Sequence, residues 1–174
     1  MSRLLSVLIA EDDENDVFLL QRAFKKVELP NPVTFVTDGL ACIESLAGAK
    51  SRPEDRLPGL VILDLKMPRR SGLQVLEWMQ AESVIRSIPA LIFSSSANQN
   101  DVEAAYEGGA SAYMIKPPST GERVELAAFI KDWLRLMQPP LAAAESFKAA
   151  LTFRAVARKE AGQGPESGSA TPQK

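Results

Sequence analysis

The 174-residue sequence contains no histidine. That removes imidazole acid–base catalysis, imidazole metal ligation and a phosphohistidine from this chain's own chemistry. Cys42 is the sole cysteine, so no disulfide forms within the chain, as expected in a reducing compartment. No apolar run approaches the ~20 residues needed to cross a bilayer, so no membrane association is expected. The N-terminal run from Leu4 to Ala10 is short and meets Glu11, Asp12 and Asp13, which reads as a buried strand and not as a signal peptide. Net charge is also scarce. Twenty Lys and Arg against 22 Asp and Glu leave −2, which argues against nucleic-acid binding through bulk charge. What remains is ordinary globular composition, 45% hydrophobic and 24% charged, in a chain long enough for one compact domain with residues to spare.

Apolar runs of strand length alternate with segments of helical period. Leu4–Ala10, Val33–Thr37, Leu60–Leu65, Ala90–Phe93 and Ala112–Ile115 read as strands. Asp13–Glu28 reads as a helix, with Val17, Leu20, Phe24 and Val27 at three- and four-residue spacing, broken by Pro30 and Pro32. Gly39–Leu46 is a short helix, and the charged stretch Gly48–Pro58 is a loop. Ser71 with Gln74, and Ser119 with Glu122, form capping-box patterns opening two more helices. The first of these runs to about Glu82, and the second ends at Pro139 and Pro140. Gln99–Glu107 is a helix closed by Gly108 and Gly109. Five strands alternating with five helices imply βαβ units in a parallel sheet with helices on both faces, an α/β three-layer sandwich.

Ligands in such sheets sit beyond the carboxyl ends of the strands. There the sequence places Glu11, Asp12 and Asp13, then Asp64 with Lys66, then Ser94, Ser95 and Ser96, then Lys116. Singly these have plain readings: Asp13 favours a helix N-terminus, the serines cap a helix, Lys116 is a surface lysine. Together they are harder to set aside. Three crowded carboxylates repel and need a cation or a shared proton. All-oxygen ligands suit Mg2+. A lysine and a hydroxyl facing them suit a phosphoryl group. Those are the parts needed for phosphoryl transfer to a carboxylate.

The chain resembles the receiver domain of two-component response regulators. The stretches that carry the likeness are Leu8-Ile-Ala-Glu-Asp-Asp13, Leu63-Asp-Leu-Lys-Met-Pro68 with Gly72, Ser94-Ser-Ser96, and Gly109-Ala-Ser-Ala-Tyr-Met-Ile-Lys-Pro117. They stand in family order, with 30 residues from Asp64 to Ser94 and 52 from Asp64 to Lys116. The resemblance implies a flavodoxin-like fold with strand order 2-1-3-4-5, an order for which a receiver protein is a standard example. It implies that Asp64 is the phosphoacceptor. Glu11, Asp12, Asp64 and the backbone carbonyl of Lys66 would hold Mg2+. Ser94 would be the switch hydroxyl, Lys116 the phosphate-contacting lysine, and Tyr113 the aromatic that changes rotamer on activation. The Lys116–Pro117 bond is expected to be cis. Lys66 and Ser96, two residues after the acceptor and the switch hydroxyl, would tune access for water.

By the same resemblance the protein is a bacterial cytoplasmic phosphoacceptor of the stand-alone type, not an enzyme with turnover, phosphorylated by a sensor histidine kinase. The opening "AEDDENDVFLLQRAF" suggests the phytochrome-associated subgroup. Two other readings stand beside it. A pseudo-receiver would keep the fold as a protein-binding module without phosphorylation. A haloacid-dehalogenase-type enzyme would need an Asp-x-Asp pair, whereas Asp64 is followed two residues later by Lys66.

The receiver is expected to span residues 1–138. Residues 139–174 form an extension, a helix over about 141–160 and then a disordered polar tail. The favoured reading of that helix is one packed on the domain or projecting from it; a homodimer through it, or through the fourth helix–fifth strand–fifth helix face, is the sharper alternative.

Overall fold

A computed structural model describes residues 4–51 and 57–137. The strands are β1 (Val7–Ala10), β2 (Val33–Val36), β3 (Leu60–Leu63), β4 (Ala90–Ser94) and β5 (Ala112–Ile115). The helices are α1 (Glu14–Lys26), α2 (Gly39–Ser51), α3 (Gly72–Ala81), α4 (Gln99–Glu107) and α5 (Thr120–Leu136). All strand pairs are parallel, in the order β2-β1-β3-β4-β5. The parallel sheet is the one expected from the strand–helix alternation, and its order is the flavodoxin-like one that the receiver resemblance implied.

Side chains alternate along each strand, so each strand feeds both faces of the sheet. Leu8, Ala10, Val61, Leu63 and Ile92 point to the face covered by α2, α3 and α4, where they meet Leu46, Val75, Leu76, Met79 and Ala105. Val7, Ile9, Leu60, Ile62, Leu91 and Phe93 point to the other face, against Leu20 and Phe24 of α1 and Ala127, Ile130 and Leu134 of α5. Each such aliphatic side chain contributes roughly 1.5–3 kcal/mol by leaving water.

Helix ends follow local chemistry. The Asp13 carboxylate accepts from the Asn15 and Asp16 amides. Both capping boxes, Ser71 with Gln74 and Ser119 with Glu122, are formed. Glycine at 109 has φ +92°, a left-handed turn after α4 that Gly adopts without strain.

Several boundaries differ from the sequence reading. Strand β1 starts at Val7 and not at Leu4, because pairing to β2 and β3 begins there. Helix α2 continues to Ser51, five residues past Leu46 and into the stretch read as a loop. Nothing between Ala47 and Ser51 breaks a helix, since the first proline comes at 53. Continuous burial holds for the inner strands β1, β3 and β4 but not for the edge strands β2 and β5, which are half-exposed. A 3-10 turn at Ile85–Ser87 was not anticipated. Pro139, Pro140 and the expected helix at about 141–160 lie outside the described residues.

Candidate functional site

The register of the sheet builds the site. Ala10 of β1 lies opposite Leu63 of β3, so the residues that follow each strand emerge side by side. The Asp64 amide donates to the Ala10 carbonyl at 2.9 Å and extends the ladder by one step. Glu11 and Asp12 therefore stand beside Asp64, and one carboxylate oxygen from each of the three lies within 4.8 Å of the others. Glu11 is buried and Asp64 is 9% exposed. The Leu65 amide donates to Asp64 Oδ1 at 2.6 Å and orients the carboxylate. Behind it, Gly72 opens α3 so close that a Cβ there would sit 2.3 Å from the Asp64 carbonyl oxygen.

Lys116, at the end of β5, reaches into this group. Its Nζ lies 2.7 Å from Glu11 Oε2, 2.9 Å from Asp16 Oδ2 and 3.2 Å from Asp64 Oδ2. Burial opposes the charged ammonium, but Asp16, Glu11 and Asp64 outweigh it and raise the lysine pKa. It also lies 5.8 Å from the centre of the Phe93 ring. The described residues contain no cis peptide bond, so Lys116–Pro117 is trans, contrary to expectation. The reach of the four-carbon stem suffices to place the ammonium among the acids, and trans is the lower-energy isomer of an X–Pro bond.

Ser94 is buried at the end of β4, and its Oγ accepts from the Ser96 amide at 3.2 Å. The Tyr113 hydroxyl donates to the Ser96 carbonyl at 2.9 Å. Both expected switch residues are thus fastened to the backbone of Ser96. The Ser96 hydroxyl itself donates to Asp101 at 2.5 Å, which turns it toward α4. Lys66 is exposed beside the site.

Burial pushes the Glu11 carboxyl up to about 7, Asp64 adding to the effect while Lys116 opposes it. Glu11 Oε2 is paired with the Lys116 ammonium at 2.7 Å and has no second partner among the described residues. A buried acid beside two more carboxylates, with no nitrogen or sulfur ligand in the cluster among the described residues, is a donor set that fits Mg2+.

Four residues of this neighbourhood were not singled out from sequence. Asp16, on the first turn of α1, and Arg123, buried on α5, are ion-paired at 2.8 Å. Asp38 is buried before α2, caps it through the Ala41 amide at 2.9 Å, and pairs with Arg69 from the loop after β3. Asp16 carried no signal, since an acid on the first turn of a helix is what the dipole favours anyway. Arg123 did carry a signal, a cation where the helix dipole favours an anion.

Residues 7–128, well over half of the chain, match the family model for the response regulator receiver domain. This chain belongs to the response-regulator receiver domain family. A curated relative of the receiver is the probable methanogenesis regulatory protein FilR2 of Methanothrix harundinacea, 29% identical over 139 residues, 77% of this chain and 86% of the relative. The crystal structure of the Mn(2+)-bound form of response regulator Rcp1 superposes with a TM-score of 0.69 at 26% identity, covering 78% of this chain and 99% of that one; Rcp1 is from Synechocystis. The bacteriophytochrome response regulator RtBRR is 30% identical with a TM-score of 0.63, covering 90% of this receiver chain and 96% of its own. The receiver is a signalling domain in its family, with the oxygen cluster for a divalent cation that its chemistry calls for. No helix among the described residues is long and apolar enough to cross a membrane.

Proposed function

We propose that Asp64 accepts a phosphoryl group from a phosphohistidine of a sensor kinase, and that the aspartyl phosphate switches contacts with other proteins. The observation that carries this reading is the Asp64 carboxylate, oriented by the Leu65 amide and set 3.2 Å from the Lys116 ammonium beside Glu11 and Asp12. A carboxylate oxygen of Asp64 attacks phosphorus, the phosphorus–nitrogen bond breaks, and the kinase imidazole leaves. Lys116 neutralises charge gathering on the phosphoryl oxygens. Mg2+, held by Glu11, Asp12, Asp64 and the main-chain oxygen of Lys66, would supply the remaining positive charge. Water later cleaves the acyl phosphate at the same site, with exposed Lys66 and the Ser96 segment at its margin.

The switch works through Ser94 and Tyr113. The Ser94 hydroxyl, which accepts from the Ser96 amide, turns to donate to a phosphoryl oxygen on Asp64 and draws on the Ser96 segment as it moves. Movement of that segment weakens the tie between Tyr113 and the Ser96 carbonyl, and the tyrosine swings inward. This is a population shift driven by local charge. Its readout is the face made by α4, β5 and α5, each of which carries a large apolar side chain more than half exposed: Tyr106 at 52%, Ile115 at 54% and Phe129 at 54%. That supports self-association or partner docking there. Residues 1–138 would be the receiver and 139–174 a second route to self-association. The work would be done in the cytoplasm, away from membrane and nucleic acid.

The test is acetyl phosphate with Mg2+, followed by intact mass. The wild type should gain one phosphoryl group and Asp64→Asn none. A wild type that gains nothing would make the chain a pseudo-receiver. Light scattering on the phosphorylated form then separates self-association from recognition by another protein.

A further inference from the structure

Arg123 is costly where it stands. It is 7% exposed, it lies at the fourth residue of α5 where the helix dipole repels a cation, and its Nη1 has no hydrogen-bond partner among the described residues. An apolar side chain of similar volume would serve packing alone at least as well. What the arginine does is grip two things beside Lys116. Its Nη2 lies 2.8 Å from Asp16 Oδ1 and its Nε donates to the Pro117 carbonyl at 3.0 Å. Asp16 in turn accepts from Lys116 Nζ through its other oxygen, at 2.9 Å. The chain Arg123–Asp16–Lys116 thus runs from the seam between α1 and α5 to the site around Asp64.

Asp16 is nearer to the ammonium than Asp64 is, 2.9 against 3.2 Å, so it competes for the one lysine the phosphoryl group needs. We propose that Asp16 and Arg123 are a positioning pair for Lys116. Asp16 holds the ammonium beside Asp64. Arg123 occupies the acid's second oxygen and repels the lysine's charge through it, which keeps that hold weak enough for the ammonium to pass to the incoming phosphoryl oxygens. Neither residue touches the phosphoryl group. The inference rests on Asp64 being the phosphoacceptor.

The experiment uses the full-length protein with acetyl phosphate at saturating Mg2+. It follows the rate of phosphorylation by intact mass and the thermal midpoint of each variant. Arg123→Met leaves Asp16 unopposed, so phosphorylation should slow roughly tenfold. Asp16→Asn added to Arg123→Met removes the competing acid and should restore the rate to within about threefold of wild type, a non-additivity expected only if Arg123 acts through Asp16. The double variant also leaves no unpaired buried charge, so it should fold. Arg123→Lys keeps a cation without the two-sided grip and should fall between. An Arg123→Met rate equal to wild type, or a double variant as slow as the single, would overturn the proposal. A wild type that takes up no phosphoryl group would overturn the receiver reading beneath it as well, and the two failures are told apart by that control.

Discussion

Gly72 and the main chain of Asp64 are in such close approach that a methyl group on the glycine would lie 2.3 Å from the Asp64 carbonyl oxygen. Backbone meets backbone here, so no side-chain rotation relieves the clash. Gly72→Ala should therefore push β3 and α3 apart at Asp64. The expected loss is about 1–3 kcal/mol in chemical denaturation, with slower phosphorylation by acetyl phosphate. A variant as stable and as fast as wild type would show that the helix start shifts freely.

The raised Glu11 pKa links cation binding to pH. Below about 7 the metal-free carboxyl holds a proton that an incoming cation must displace. The sign follows: Mg2+ affinity falls as pH drops through 7, and it levels off above. Calorimetry in buffers of different ionisation enthalpy should show about three quarters of a proton released per ion at pH 6.5 and almost none above pH 8. The same shift destabilises the metal-free fold as pH rises from 4.5 toward about 7, since the folded state then binds more protons than the unfolded one.

Asp38 behaves in the opposite sense. Burial alone would raise its pKa, but the Ala41 amide and Arg69 outweigh it and hold the carboxyl below the usual range. Its stabilisation is present above the unfolded pKa of 3.8 and is lost as pH falls through the lower folded value. Arg69 is 56% exposed along its side chain, so solvent screening keeps its share small. Arg69→Ala should cost about 1 kcal/mol at pH 7. Wild type and variant should converge in acid, where the pair no longer exists.

Lys66 sits exposed, two residues past Asp64. A cation there draws the side chain toward a phosphoryl anion and crowds the approach of water. Lys66→Asn should change the decay rate of the phosphorylated protein by a few-fold, followed by intact mass after removal of acetyl phosphate. An unchanged rate would leave the Lys66 side chain with no part in the decay.

The five strands and the edge on which Glu11, Asp12, Asp64, Ser94 and Lys116 stand were legible from sequence for a local reason, whereas the strand order came from the family resemblance. Each inner strand is a short apolar run that ends in a polar residue, and in a parallel sheet all such ends lie on one edge. Capping boxes at Ser71 and Ser119 were legible because the bonds they make span three residues. The length of α2 was not, because a charged stretch between Gly48 and Pro58 reads equally as a solvated helix end or as a loop.

Tertiary structure alone decided who partners whom across the chain. Lys116 and Asp16 are 100 positions apart, Arg69 and Asp38 31 apart, and Tyr113 and the Ser96 carbonyl 17 apart. No periodicity encodes those distances. Local pattern dictates which face a residue takes, and so determined the fold and the edge where the chemistry sits. Which acid shares the lysine, and which buried arginine restrains that acid, depends on the packing of α1 against α5, where charges removed from water must find partners or be lost to a cheaper apolar side chain.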